Sequence, residues 1–158
     1  MTNLERMIAL AEEFFDARSD PEQILVNDEV MAKLHQIHPA TMGEVREGDG
    51  PVAWMLVIPT THEIMERFLR AEITERSMLE STSPGIRYDA LYLCSALVLP
   101  EYRGRGLARR LALDAVAAIR ADHPIKHLFY WGFSEEGKQL AEKIGRAVNL
   151  PVRARGKK

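Results

Sequence analysis

The chain predicts an α/β fold of the mixed α+β kind: a central, mostly antiparallel mixed sheet with helices on both faces. Three observations carry this. Apolar residues recur at helical spacing through the first forty positions. A turn signal, Gly48-Asp49-Gly50, then separates two short stretches of strand character. From Leu91 onward, strand and helix patterns alternate, so that one helix links two parallel neighbours in a right-handed crossover.

Each element has its own signal. Leu4, Met7, Ile8, Ala11, Phe14 and Phe15 predict an amphipathic helix from about residue 3 to 18. Pro21 interrupts the chain, and Ile24 to Ile37 reads as a second helix ending before Pro39. Thr41 to Glu47 and Val52 to Ile58 are the strands of the hairpin. Thr60-x-x-Glu63 has the form of a capping box and opens a helix that runs to Leu79. Its apolar stripe, Ile64, Phe68, Ala71, Met78 and Leu79, is interrupted by Glu75. Residues 81–85 form a loop, and Leu91 to Leu99 is an apolar strand covered on both faces. Arg103 to Ala121 reads as helix, His127 to Trp131 as strand, and Ser134 caps a helix to Val148. A last strand would span Pro151 to Ala154.

The 158 residues suit a single domain, with a helical part at 1–40, an inserted helix at 60–80 and a core at 90–149. Lys and Arg number 21 against 23 Asp and Glu, a net charge of -2 that offers no general field for nucleic acid or membrane. The basic end, Arg153, Arg155, Lys157 and Lys158, reads as a solvated tail. A lone cysteine, Cys94, forbids an intramolecular disulfide and sits in an apolar strand as a buried thiol. Glu5, Glu12, Glu13 and Asp16 do not suit a signal peptide, so a cytoplasmic location is the default. Neither His35-x-x-His38 nor His123-x-x-x-His127 is held on one helix face, since Pro39 and Pro124 intervene. No metal site is expected.

The chemistry gathers at Val98 to Ala108, Val-Leu-Pro-Glu-Tyr-Arg-Gly-Arg-Gly-Leu-Ala, between an apolar strand and a helix. Gly104 and Gly106 allow close approach and positive φ. The turn delivers unpaired N–H groups at a helix N-terminus, and Arg103 and Arg105 add forked donors for phosphate oxygens. The dinucleotide fingerprint fails at Arg109, and no Walker loop occurs. An RNA-binding arginine–glycine tail would repeat its unit and lack the apolar flanks found here.

Arg103-Gly104-Arg105-Gly106-Leu107-Ala108, read as Arg/Gln-x-x-Gly-x-Gly/Ala after Leu-Val-Leu-Pro-Glu-Tyr, resembles the acetyl-CoA-binding motif of the GNAT superfamily of CoA-dependent N-acyltransferases. The likeness in element order covers roughly residues 41–58 and 90–149. It implies a donor, acetyl-CoA, with its phosphates over Arg103 to Ala108 and Arg109. It implies pantetheine paired with Ala96, Leu97 and Val98, in a gap where that strand splays from the next. Ser134 falls near the pantetheine by the same likeness, and reads equally well as a plain N-cap. The implied reaction is direct attack of an amine on the thioester, with the Val98 N–H serving the oxyanion. The alternative is a non-catalytic acyl-CoA-binding module on the same fold.

That alternative stays open because of the acid. The family signature Asn-x-x-Ala-x-x-Leu-Tyr-x-Lys-x-Gly-Phe aligns with Ser134 to Arg146, and Ala141 stands at its tyrosine. Tyr130 and Tyr92 are the candidate catalytic substitutes, with Cys94 and His62 behind them. Tyr92 and Cys94 share a strand face by the two-residue period. Glu44, Glu47, Glu63 and Asp89 are candidate bases, each also readable as a solvated charge. The acceptor is a small-molecule or peptide amine. The inserted helix covers the acceptor groove, makes a homodimer contact, or simply packs on the sheet. After Leu150 the chain is too short for the family's closing strand pair, which leaves that sheet edge open, completed by a partner, or closed by the N-terminal segment.

Overall fold

The computed structural model describes residues 1–17, 23–24, 27–132 and 134–156. The elements run α1 (Asn3–Ala17), α2 (Asp28–Ile37), β1 (Met42–Glu47), β2 (Gly50–Thr60), α3 (His62–Leu69), α4 (Glu75–Ser81), β3 (Ala90–Val98), α5 (Leu107–Asp122), β4 (His127–Trp131), α6 (Glu135–Val148) and β5 (Val152–Arg155). The mixed sheet has the order β1-β2-β3-β4-β5, antiparallel as far as β3 and parallel from β3 to β5. This is the predicted α/β class. Pro21, residues 25 and 26, and the two terminal lysines of the expected tail lie outside the described residues.

The sheet is buried because β2 is apolar on both faces, Val52, Ala53, Val57 and Ile58 being fully enclosed. On one face α5 packs Leu111 over Gly43 and Met55, where a Cβ at Gly43 would already touch the leucine. On the other face α3 lays Phe68 edge-on against Tyr92, Phe129 and Trp131, at ring separations of 5.2, 5.8 and 5.9 Å. Helices therefore cover both faces, as the alternating pattern predicts.

Four expectations are corrected. The helix expected from Ile24 begins at Asp28, where Asn27 caps it by accepting from the Val30 N–H. The helix expected from Thr60 to Leu79 is two helices. Thr61, not Thr60, caps α3, while Thr60 is buried in β2 with its hydroxyl on Thr82. Ala71, at φ 60°, ends the first helix with a left-handed residue, and Thr74 caps the second. The helix expected from Arg103 begins at Leu107, the four residues before it being turn. The last correction concerns the C-terminal end. Arg155 is buried, and Arg153 pairs with Glu66 of α3. A long cation is drawn inward there because β5 pairs with β4 and brings the side chain against aromatic faces.

A final strand does form, and by running parallel to β4 it extends the sheet by one strand only. The hairpin turn, the β3–β4 parallel pair and the capping of α6 by Ser134 stand as expected.

Candidate functional site

The parallel pair β3 and β4 is joined only at Ala90–His127, Leu91–Leu128 and Tyr92–Phe129. Beyond these, β4 continues to pair with β5 through Tyr130 and Trp131, and β3 continues with β2 through Val98. The two strands therefore part into a V with Tyr92 and Phe129 at its vertex. A bulge in β3 sits at this point, since Leu56 pairs with Ser95 and Val57 with Leu93, leaving Cys94 extra. The bulge breaks the two-residue period, yet Tyr92 and Cys94 still reach one carboxylate, Glu75.

Backbone alternation decides what β3 offers to the gap. The Leu99 N–H donates to Val52 of β2, so the peptide groups of Val98 and Ala96 turn to the open side and those of Leu97 to β2. The Val98 carbonyl confirms this orientation by accepting from Arg103 Nε at 3.0 Å. Of the three residues expected beside a pantetheine, Ala96 and Val98 present backbone groups to the open side, while the backbone of Leu97 is turned to β2.

The turn after β3 is a nest of donors. Leu99 to Tyr102 fold into a single 3-10 turn begun by Pro100. Gly104 and Gly106 then take φ 79° and 75°, and a Cβ at either would meet no protein atom. Among the described residues, the N–H groups from Gly104 to Arg109 have no protein acceptor, the first helical bond being Arg110 to the Gly106 carbonyl. Their open side faces solvent, as an anion cradle must.

Charge follows the same design. Every other helix carries an acid in its first turn, among them Glu5, Asp28, Glu63, Glu75 and Glu135. The first turn of α5 holds none and has Gly106 in place of a side-chain cap. Arg103, Arg105, Arg109 and Arg110 surround it instead, adding cations to the positive end of the helix. Among the described residues none of the four forms an ion pair, and Arg105 rests on the Tyr102 ring at 4.8 Å. The turn thus gathers positive charge with no acidic side chain in the first turn of α5.

The remaining candidates divide by place. Tyr130 lies on β4 just past the vertex, 8% exposed. Burial, then Glu142 and Glu135 of α6, push its phenol above the ordinary tyrosine range. Tyr92 is fully buried and donates its hydroxyl to Glu75 Oε2. Ser134 Oγ accepts from the Gly137 N–H at 3.0 Å, and Ala141 is buried in α6. His62 and Asp89 stand at the far end of β3 from the turn, where Asp89 Oδ1 accepts the His62 N–H at 2.6 Å. Glu63 neighbours them, so these three are not brought to the V. Glu44 accepts from Trp54 Nε1 and Arg46, and the Glu47 carbonyl accepts from Asn3 Nδ2. The histidine pairs do not form a metal cluster of three or more ligands among the described residues. His38 Nε2 instead binds Asp122 at 2.7 Å.

Two residues go unmarked in the sequence. Glu75, 2% exposed, accepts from the Ile24 N–H and from Tyr92. Arg155, 8% exposed, lies against Phe68 and Trp131. The first had one signal, a charge interrupting an apolar stripe.

The site is a parallel pair splayed beyond a bulge, with an arginine-rich turn of free N–H groups at a helix N-terminus beside it. The family comparison makes this specific. The model of the acetyltransferase (GNAT) family matches residues 5–141, and the chain belongs to that family. No curated protein and no solved structure matches it. Acyltransferase-type function follows in general terms, with acyl-CoA as the family's usual donor. Among the described residues no helix is long and apolar enough to cross a membrane.

Proposed function

We propose that the protein transfers an acetyl or other short acyl group from acyl-CoA to an amine. The observation that carries this is the run of unpaired N–H groups from Gly104 to Arg109, ringed by arginines, at the mouth of the β3–β4 gap. The pyrophosphate of the donor fits that nest, which offers only donors and cations. The pantetheine then pairs with Ala96 and Val98, which leads the thioester back toward the bulge at Cys94.

The amine attacks the thioester carbonyl carbon, the carbon–sulfur bond breaks, and one proton must pass from nitrogen to the departing sulfur. A backbone N–H at the free edge of β3 suits the oxyanion. With the thioester led back to the bulge at Cys94, that N–H lies at the bulge and not at Val98, the residue expected, whose backbone pairs with the pantetheine. Tyr130 is the acid this reading favours over Tyr92. Its raised pKa keeps the phenol protonated at neutral pH, and it sits on the α6 side, where Ala141 leaves the family's tyrosine unreplaced. Tyr92 has its proton committed to Glu75.

Titration of acetyl-CoA into the wild type and Arg103→Ala/Arg105→Ala tests the donor site. Micromolar binding that weakens by ~100-fold or more in the double variant is expected, since each charge-assisted contact contributes about 1.5–3 kcal/mol. A folded wild type that ignores acetyl-CoA overturns the reading. Binding without thiol release across a panel of amines favours the non-catalytic module, for which Ala141 is the supporting feature. An acceptor amine, independence from nucleic acid and membrane, a cytoplasmic site of action and a homodimeric state belong to the same proposal.

A further inference from the structure

The pairing of β5 with β4 carries Arg155 inward, but among the described residues no carboxylate compensates its charge there. Arg155 closes β5 in register with Trp131, the last residue of β4. Its guanidinium lies 4.5 Å from the Trp131 ring centre and 4.6 Å from that of Phe68. Nη1 donates to the Ile73 carbonyl at 3.0 Å. Among the described residues that is its only side-chain hydrogen bond, and no carboxylate pairs with it. A guanidinium carries five N–H donors, so four lack a protein acceptor in a residue that is 8% exposed.

Desolvating a cation costs several kcal/mol unless an anion or a full set of acceptors compensates. One carbonyl and two ring faces, each ring contributing roughly 0.5–2 kcal/mol, supply only part of that. Among the described residues no carboxylate supplies the charge complement, and the guanidinium lies close to the vertex of the V. Trp131 stands two residues, roughly 7 Å, past the vertex pair Tyr92–Phe129, and β5 is one strand, about 4.8 Å, further across. Phe68 bridges the two places, touching both the vertex rings and the guanidinium. Ile73, which holds Arg155, is two residues from Glu75, which holds Tyr92. A small molecule with its reacting end at the vertex therefore has its far end within reach of Arg155.

We propose that Arg155 receives a carboxylate of the substrate, carried by the acceptor amine or by the acyl group. The proposal rests on the acyltransferase reading for the word substrate, and on geometry alone for the anion. Its fork matches a carboxylate bidentately, which a lysine cannot do. The inserted pair α3–α4 then has a role: it supplies the Phe68 face and the Ile73 carbonyl that hold the fork in place.

Two measurements test this. In the Trp54→Phe chain, Trp131 is the only tryptophan and reports directly on its guanidinium neighbour. Titration with N-acetylglycine should change its emission saturably, while the carboxamide of the same compound should not. Arg155→Met should abolish the response with its circular dichroism retained, and Arg155→Lys should keep a weaker one. Thiol release then identifies the source. Glycine against glycinamide with acetyl-CoA tests the acceptor, and succinyl-CoA against acetyl-CoA with a neutral amine tests the acyl group. One arm should favour the carboxylate by ~10-fold or more, a preference lost in Arg155→Met. Equal response to acid and amide in the Trp54→Phe chain overturns the proposal, and that comparison leaves Arg155 itself unaltered. If acetyl-CoA is ignored while the fluorescence response holds, the acyltransferase reading falls and the anion site stands.

Discussion

Two strand–turn–helix units lie side by side in this sheet, β3 into α5 and β4 into α6, and they close their turns in opposite ways. The β4 turn satisfies itself. Ser134 accepts from Gly137, and Glu135 and Glu136 lie at the positive end of α6. The β3 turn leaves its N–H groups from Gly104 to Arg109 without a protein acceptor among the described residues. Gly106 caps α5 without a side chain, its first turn lacks acids, and four arginines crowd donors that already want an anion. Both turns cap a helix of similar length after an apolar strand. Of these two turns, the one left with unpaired donors and cations is the one where the strands part, which is where the proposed function puts the donor's phosphates.

The contrast can be broken at either turn. The largest effect belongs to the open one: Arg103→Ala/Arg105→Ala should cost ~100-fold or more in acetyl-CoA affinity by calorimetry, with the melting temperature little changed. Next comes Tyr130→Phe. Loss of a general acid lowers kcat by ~100-fold or more while calorimetric acetyl-CoA affinity stays within about twofold. An unaltered kcat would remove Tyr130 from the mechanism.

The closed unit should answer in stability instead. A Cβ on Gly145 would clash with Val152 Cγ2 and lie 3.1 Å from the Leu150 carbonyl oxygen. Gly145→Ala must therefore push β5 off α6, at about 1–3 kcal/mol in denaturant melts. Ser134→Ala removes the cap and costs ~1 kcal/mol, with acetyl-CoA affinity unchanged. A loss of affinity instead would place Ser134 beside the pantetheine.

The smallest effect lies outside both turns. His123 packs against Tyr88 and near His38, and burial, with His38 adding to it, holds its imidazole below the usual range. The unfolded chain therefore binds that proton more readily than the folded one. Stability from this group is complete above the ordinary histidine pKa of about 6.5 and declines as pH falls below it. The melting temperature should be lower at pH 5.5 than at 7.5, and His123→Gln should flatten that slope.

What could be read in advance follows the range of the forces involved. The donor-rich turn was legible because it is local: Pro100, Gly104, Gly106 and the arginines fall within a dozen residues. The split of the inserted helix was not, since Ala71 adopts a left-handed φ with neither Gly nor Pro to announce it. Glu75 appeared as a flaw in an apolar stripe, and its meaning waited on Tyr92, seventeen positions away. Arg155 read as a solvated cation, because its partner carbonyl is 82 positions away.

The sequence by itself determined the order of strands and helices, the parallel crossover and the donor-rich turn, each written in periodicity or turn chemistry over a few residues. Only the tertiary structure decided where β3 and β4 part, which peptide groups of β3 face the gap, and which charges went inside. Those outcomes depend on register, a bulge and packing between distant segments, and burial is a property of the assembled sheet that no short stretch of chain contains.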